Sequence, residues 1–140
     1  MKKIGITGLL ASGKSTASNF LSINRGPLFS ADKVVKKLYS KNLFKKKISE
    51  KFNVKNFKNI KKSLLRKKIL ENKSNIKKLE KVIHPLVRKE MFKFIKKNKQ
   101  KDFIFLEIPL LIENKLEKNF DVIFYIKAKK NIRLKRFILK

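Results

Sequence analysis

Ile4 and Ile6 alternate around Gly5, and this period-two pattern predicts a short strand over residues 3–7. A glycine-rich turn follows, and Lys14 through Phe20 and Leu21 reads as a helix. Pro27-Leu28-Phe29 predicts a second strand ending at Ser30-Ala31-Asp32, after which Val34, Val35, Leu38 and Tyr39 recur at helical spacing. From about residue 41 to 99 the pattern is helical throughout. Leu43, Phe44, Ile48 and Phe52 form one stripe, and Ile60, Leu64, Leu65, Ile69 and Leu70 form another. A third starts with Ile76, Leu79, Val82 and Ile83 and continues through Leu86, Val87, Met91, Phe92 and Ile95. Pro85 interrupts that run and is expected at the first turn of a new helix, where a missing N–H costs little. Lysine runs such as Lys45–Lys47 and Arg66–Lys68 fall between the apolar positions, as the wet faces of amphipathic helices should.

Strand character returns at residues 103–108 and again at 122–126. Both are unbroken apolar runs, the pattern of central strands in a parallel sheet covered on both faces. Residues 131–140 close the chain as a helix. The order is strand, loop, helix, strand, helix, a helical excursion, then strand, strand and helix. That order predicts one α/β domain: a parallel sheet flanked by helices, with a core of residues 1–40 and 100–140 and a helical insert of about 41–99.

Composition narrows the function less than its extremes suggest. Lys and Arg number 39 against 10 Asp and Glu, a net charge of +29 that would draw any polyanion. Most of the basic residues are Lys, accompanied by many Ile, Asn and Phe, all encoded by A/T-rich codons, so nucleotide bias accounts for the excess. Arg, which reads guanine bidentately, is scarce, so no specific nucleic-acid partner is expected. The absence of cysteine excludes disulfides, thiolate nucleophiles and Cys-ligated zinc, and suits a cytoplasmic protein. Residues 1–11 faintly mimic a signal peptide, yet the apolar stretch holds two glycines and runs straight into Ser12-Gly13-Lys14. No run approaches the ~20 apolar residues of a membrane span, so no membrane partner is expected.

Gly8-Leu9-Leu10-Ala11-Ser12-Gly13-Lys14-Ser15 satisfies G-x-x-x-x-G-K-[ST] in full, after a predicted strand and into a predicted helix. The glycines let successive N–H groups turn inward as an anion nest, to which the helix adds its positive end. Lys14 brings a mobile charge to the β- and γ-phosphates, and the Ser15 hydroxyl is placed to ligate Mg²⁺. Carboxylates stand out in so basic a chain. Asp32 falls at the carboxyl edge of the predicted sheet, where it would serve either as a proton acceptor or as a helix N-cap. Glu107 lies inside an apolar strand, where it would either organise magnesium or pair with a lysine. Glu113 follows Pro109-Leu110-Leu111-Ile112 and is expected in a loop over the same edge. His84 is the lone histidine and by itself carries little weight.

Four segments carry a resemblance: Gly8–Thr16, Ser30-Ala31-Asp32, Ile83-His84-Pro85-Leu86-Val87-Arg88 and Ile108-Pro109-Leu110-Leu111-Ile112-Glu113. In order and spacing they resemble the dephospho-CoA kinases, P-loop kinases that move the γ-phosphoryl of ATP to the 3′-hydroxyl of dephospho-CoA. The resemblance implies Asp32 as the catalytic base and Gly8 with Ala11, Ser12, Gly13, Lys14, Ser15 and Thr16 as the ATP-phosphate loop. It also implies His84, Arg88, Pro109, Leu110 and Glu113 on the acceptor, and Ser15 and Glu107 on Mg²⁺. Arg133 and Arg136 resemble the start of the family's basic lid. ATP and dephospho-CoA are the implied partners of a monomer.

Three departures accompany the match. Ser30 stands where the family commonly has a first Asp, and Leu9-Leu10-Ala11 where Gly-Ile-Gly is usual, making the loop backbone less permissive. The chain also stops at Lys140, inside the expected lid helix, and so resembles a C-terminally truncated member. Other readings remain open: a nucleoside monophosphate or other small-molecule kinase, a basic nucleic-acid-binding protein, or an inactive remnant.

Overall fold

The computed structural model describes residues 1–53 and 72–139. The stripe from Ile60 to Leu70 and the Arg66–Lys68 run lie outside them. Strands β1 (Lys2–Gly8), β2 (Leu28–Ser30), β3 (Phe103–Glu107) and β4 (Val122–Ile126) pair in parallel, in the order β2-β3-β1-β4. Helices α1 (Lys14–Ser22), α2 (Ala31–Leu38), α3 (Asn42–Phe52), α4 (Lys73–Lys97) and α5 (Lys130–Ile138) connect or follow them, with a short 3₁₀ turn at Glu117–Asn119. The sequence-predicted α/β class and parallel sheet are what is found. The segment that mimics a signal peptide begins as β1.

The chain divides into two compact units: Met1–Asp32 with Met91–Lys140, and Lys33–Glu90. In the sheet unit, β1 and β3 form the centre. Ile6, Ile104 and Leu106 are fully buried, each contributing about 1.5–3 kcal/mol by leaving water. Helix α1 turns Ser18 and Ser22 inward, small side chains that allow close approach to the sheet. Gly8 is required by the same closeness, since a Cβ there would lie 2.3 Å from the Ile126 carbonyl oxygen. At the opposite edge of the sheet Asp121 Oδ2 accepts the Lys3 N–H at 2.7 Å. That bond, aided by the charges of Lys2 and Lys3, holds the Asp121 carboxyl below its usual pKa.

The helical unit has its own core of Leu38, Phe44, Ile48 and Phe52, onto which Val34, Tyr39, Leu79, Val82, Ile83, Leu86 and Val87 pack. Tyr39 meets Phe44 edge-on at 5.0 Å, and burial raises its phenol pKa.

Three expectations are corrected. Leu43 is not part of the buried stripe: it is 79% exposed, because Phe44, Ile48 and Phe52 at i, i+4 and i+8 already fill the inward face of α3. Pro85 does not open a new helix; it lies inside the 25-residue α4. The apolar residues on either side of it share one core, and their packing outweighs a local cost of about 3 kcal/mol. Strand β4 is not central. Among the described residues it is paired on one side only, by β1, with Val122 47% and Phe124 40% exposed. An apolar run alone does not distinguish an edge from a centre.

Candidate active site at the carboxyl edge of the sheet

Every strand of a parallel sheet ends at the same edge, so the residues following β1, β2 and β3 are gathered there by topology. The register makes this concrete. Ser30 pairs with Glu107, and Glu107 pairs with Ile6, two residues before Gly8. Glu107 therefore sits on the strand beside the phosphate loop, and Asp32 follows two residues after β2 ends.

The loop from Gly8 to Gly13 turns through left-handed backbone at Ala11 (φ 58°) and Gly13 (φ 95°). Ser12 N–H donates to the Leu9 carbonyl, and Gly13 in its left-handed geometry then starts α1. Lys14 Nζ folds back and donates to the Gly8 and Leu9 carbonyls at 2.9 and 3.0 Å, so its ammonium is held along the loop. Ser15 Oγ donates to Glu107 Oε1 at 2.6 Å. The Glu107 side chain is only 2% exposed, and its bond to Ser15 identifies a hydroxyl as its partner. Hard oxygen donors at the start of a helix suit Mg²⁺, which takes one or two protein oxygens and completes its shell with phosphate and water. Among the described residues there is no group of three or more His, Cys, Asp or Glu that could hold a metal ion.

Asp32 is exposed, and α2 begins at Ala31, one residue ahead of it. It therefore lies in the first turn, where a carboxylate also suits the positive end of the helix, rather than at the N-cap. From α5, Arg136 Nη1 donates to the Ser12 carbonyl at 3.3 Å, so one of the two expected lid arginines already touches the phosphate loop. Arg133 Nε instead donates to the Ala128 carbonyl at 3.2 Å. Thr16 is exposed on the first turn of α1.

Pro109, Leu110 and Glu113 fall in the loop after β3, with Leu110 in left-handed backbone (φ 54°) and Glu113 exposed. Sequence reasoning missed what anchors this loop. Leu111 is fully buried against Gly5, where a Cβ would come within 3.0 Å of Leu111 Cδ1. The Leu111 N–H points to Thr7 Oγ1 at 3.5 Å. Thr7 precedes the phosphate loop in β1, so one strand supports both loops; the small residue at position 5 was the available signal. His84 and Arg88 belong to the helical unit, exposed and one turn apart on α4.

A sequence profile of the family described as Dephospho-CoA kinase matches residues 2–140. A Rickettsia typhi protein named Dephospho-CoA kinase is 34% identical over 140 residues, covering the whole chain and 72% of the relative. One from Zymomonas mobilis, with the same name, is 32% identical over 137 residues, 96% of this chain and 70% of the relative. Among solved structures, TT1252 from Thermus thermophilus superposes with a TM-score of 0.81 at 26% identity, over 99% of this chain and 72% of that one. The Dephospho-CoA kinase from Campylobacter jejuni shares the fold with a TM-score of 0.60 at 23% identity, over 98% of this chain and 94% of that one. With a complete phosphate loop, a hydroxyl–carboxylate pair beside it and relatives matching along its whole length, the chain belongs to the dephospho-CoA kinase family.

Proposed function

We propose that the protein phosphorylates the ribose 3′-hydroxyl of dephospho-CoA with ATP, giving coenzyme A and ADP. The observation that carries this reading is the Ser15–Glu107 hydrogen bond at the carboxyl edge, in a chain whose whole length matches the family. Loop N–H groups and Lys14 receive the ATP phosphates, and Lys14 leaves the Gly8 and Leu9 carbonyls to do so. Ser15 and Glu107 would hold Mg²⁺, which when bound would neutralise charge on the phosphates. Asp32 orients the 3′-hydroxyl and accepts its proton as the oxygen bonds to the γ-phosphorus and the bond to the β–γ bridging oxygen breaks. Arg136, from its place over Ser12, adds positive charge beside the loop. Arg133 lies on the same helix. In the sheet unit Pro109, Leu110 and Glu113 line the acceptor; in the helical unit His84 and Arg88 contact it. The protein acts as a monomer in the cytoplasm, a compartment that a cysteine-free chain suits.

Coupled measurement of ADP release with ATP, Mg²⁺ and dephospho-CoA tests this. Lys14→Ala should lower turnover by roughly 10²–10³-fold, the scale of removing one preorganised donor. Asp32→Asn keeps the shape of the side chain but cannot take a proton, and should cost roughly 10²–10⁴-fold in kcat with ATP binding retained. Wild-type turnover in Asp32→Asn would overturn the base assignment. Faster transfer to a nucleoside monophosphate than to dephospho-CoA would overturn the substrate.

A further inference from the structure

Charge is not spread evenly over the two units. Residues 33–90 hold 21 Lys and Arg against 4 Asp and Glu, a surplus of 17 in 58 residues; the other 82 residues hold 18 against 6, a surplus of 12. The fold then sorts this charge outward. Helices α2, α3 and α4 turn their apolar sides into the core around Phe44 and Ile48, which leaves the lysines facing water. Among the described residues of this unit, 12 basic side chains are exposed against 2 exposed acidic ones, Glu50 and Glu80. Exposed carboxylates of its own can neutralise few of them.

The spacing is regular as well. Lys47 and Lys51 on α3, and Lys77 and Lys81 on α4, each stand one turn apart, about 6 Å along the axis. That is close to the rise of two nucleotides in a strand, at roughly 3.4 Å each. We propose that the outer faces of α3 and α4 bind the sugar–phosphate backbone of nucleic acid without reading its sequence.

Codon bias explains why the chain is rich in lysine; packing explains why the lysines are massed on these faces. The chemistry favours nucleic acid over a lipid surface. Adsorption to a bilayer draws on apolar side chains, and the only exposed large hydrophobics described in this unit are Leu43 and Ile76. No aromatic side chain is among them, so the described residues of this unit offer no platform on which bases could stack. Lysine ammoniums are point charges that suit phosphate and do not discriminate bases. The binding is independent of the kinase reading, since it involves neither the phosphate loop nor Asp32.

Fluorescence anisotropy of labelled thymidine and adenosine homo-oligonucleotides, titrated with the whole chain between about 50 and 200 mM salt, tests the proposal. The two oligonucleotides should bind within about threefold of each other, with log K falling against log salt at a slope near −3, the value for about four phosphates. Lys46→Glu/Lys47→Glu/Lys51→Glu, outward-facing on α3, should weaken binding at least tenfold at the low-salt end and flatten that slope. Lys101→Glu/Lys115→Glu/Lys118→Glu makes the same charge change at exposed positions of the sheet unit that lie off α4, and should cost less than threefold. Lys14→Ala should bind as wild type. Equal losses in the two triple variants would show net charge rather than a surface and overturn the proposal. So would absence of binding at low salt, or tighter binding to phosphatidylglycerol vesicles than to oligonucleotides. Circular dichroism of each variant separates lost binding from lost folding.

Discussion

Ala11 holds a conformation that an L-residue adopts at a cost, since φ 58° brings Cβ toward the following carbonyl. The phosphate loop needs that turn to aim its N–H groups, so the residue is held there by the loop around it. Ala11→Gly should remove about 1–2 kcal/mol of strain and return about 0.4–1 kcal/mol through the freer unfolded chain. The expected outcome is a net gain of about 0.5–1 kcal/mol, read as a higher urea midpoint at unchanged m-value. A lower midpoint would show that Ala11 is at ease. The loop itself was legible residue by residue, because each of its fixed positions has a chemical reason. Glu107 was legible as an anomaly, a carboxylate in an apolar strand, but its partner was not. Ser15 lies 92 positions away, and only the pairing of β1 with β3 brings the two together. Thr7 was silent for the same reason, as nothing in Ile6-Thr7-Gly8 announces that a backbone N–H from residue 111 will meet its hydroxyl.

Elements were legible where a local pattern decides them, and misread where a neighbour does. Phe44, Ile48 and Phe52 mark the inner face of α3 by spacing alone. Pro85 misleads because proline is a local signal, while the continuity of α4 is secured by Leu79, Val82, Leu86 and Val87 on a shared core. Pro85 withholds the N–H that the Lys81 carbonyl would otherwise accept in an α-helix. Its side chain is exposed, so replacing it loses little packing. Pro85→Ala should therefore stabilise the helical unit by about 2 kcal/mol, the ~3 kcal/mol interior penalty less about 1 kcal/mol of regained unfolded-state freedom. Thermal and urea unfolding followed by circular dichroism measure this. An unchanged or lower midpoint would mean that the helix needs the interruption. Strand β4 shows the complementary limit: Val122-Ile123-Phe124-Tyr125-Ile126 has the run of a central strand, and only the sheet order places it at an edge.

At the scale of the whole molecule, a net charge of +29 on 140 residues repels itself in the folded state more than in the expanded chain. Salt shortens the reach of that repulsion from about 30 Å at 0.01 M to about 8 Å at 0.15 M. The melting temperature should therefore rise with sodium chloride across that range, by at least about 3 °C, the scale of one-half to one kcal/mol for a domain of this size. A flat or falling melting temperature would mean that the charges are compensated locally. The strand order carries a further consequence, in time rather than in space. Strand β1 is made first, yet both of its neighbours are made late, β3 starting at Phe103 and β4 at Val122. At roughly 5–20 residues per second, synthesis leaves Ile4 and Ile6 without a partner strand for about 5–20 s. Residues 33–90, whose described core is built from helices, are completed within that interval. On the ribosome the helical unit is thus free to fold while the phosphate loop, tied to β1, waits for β3 and β4.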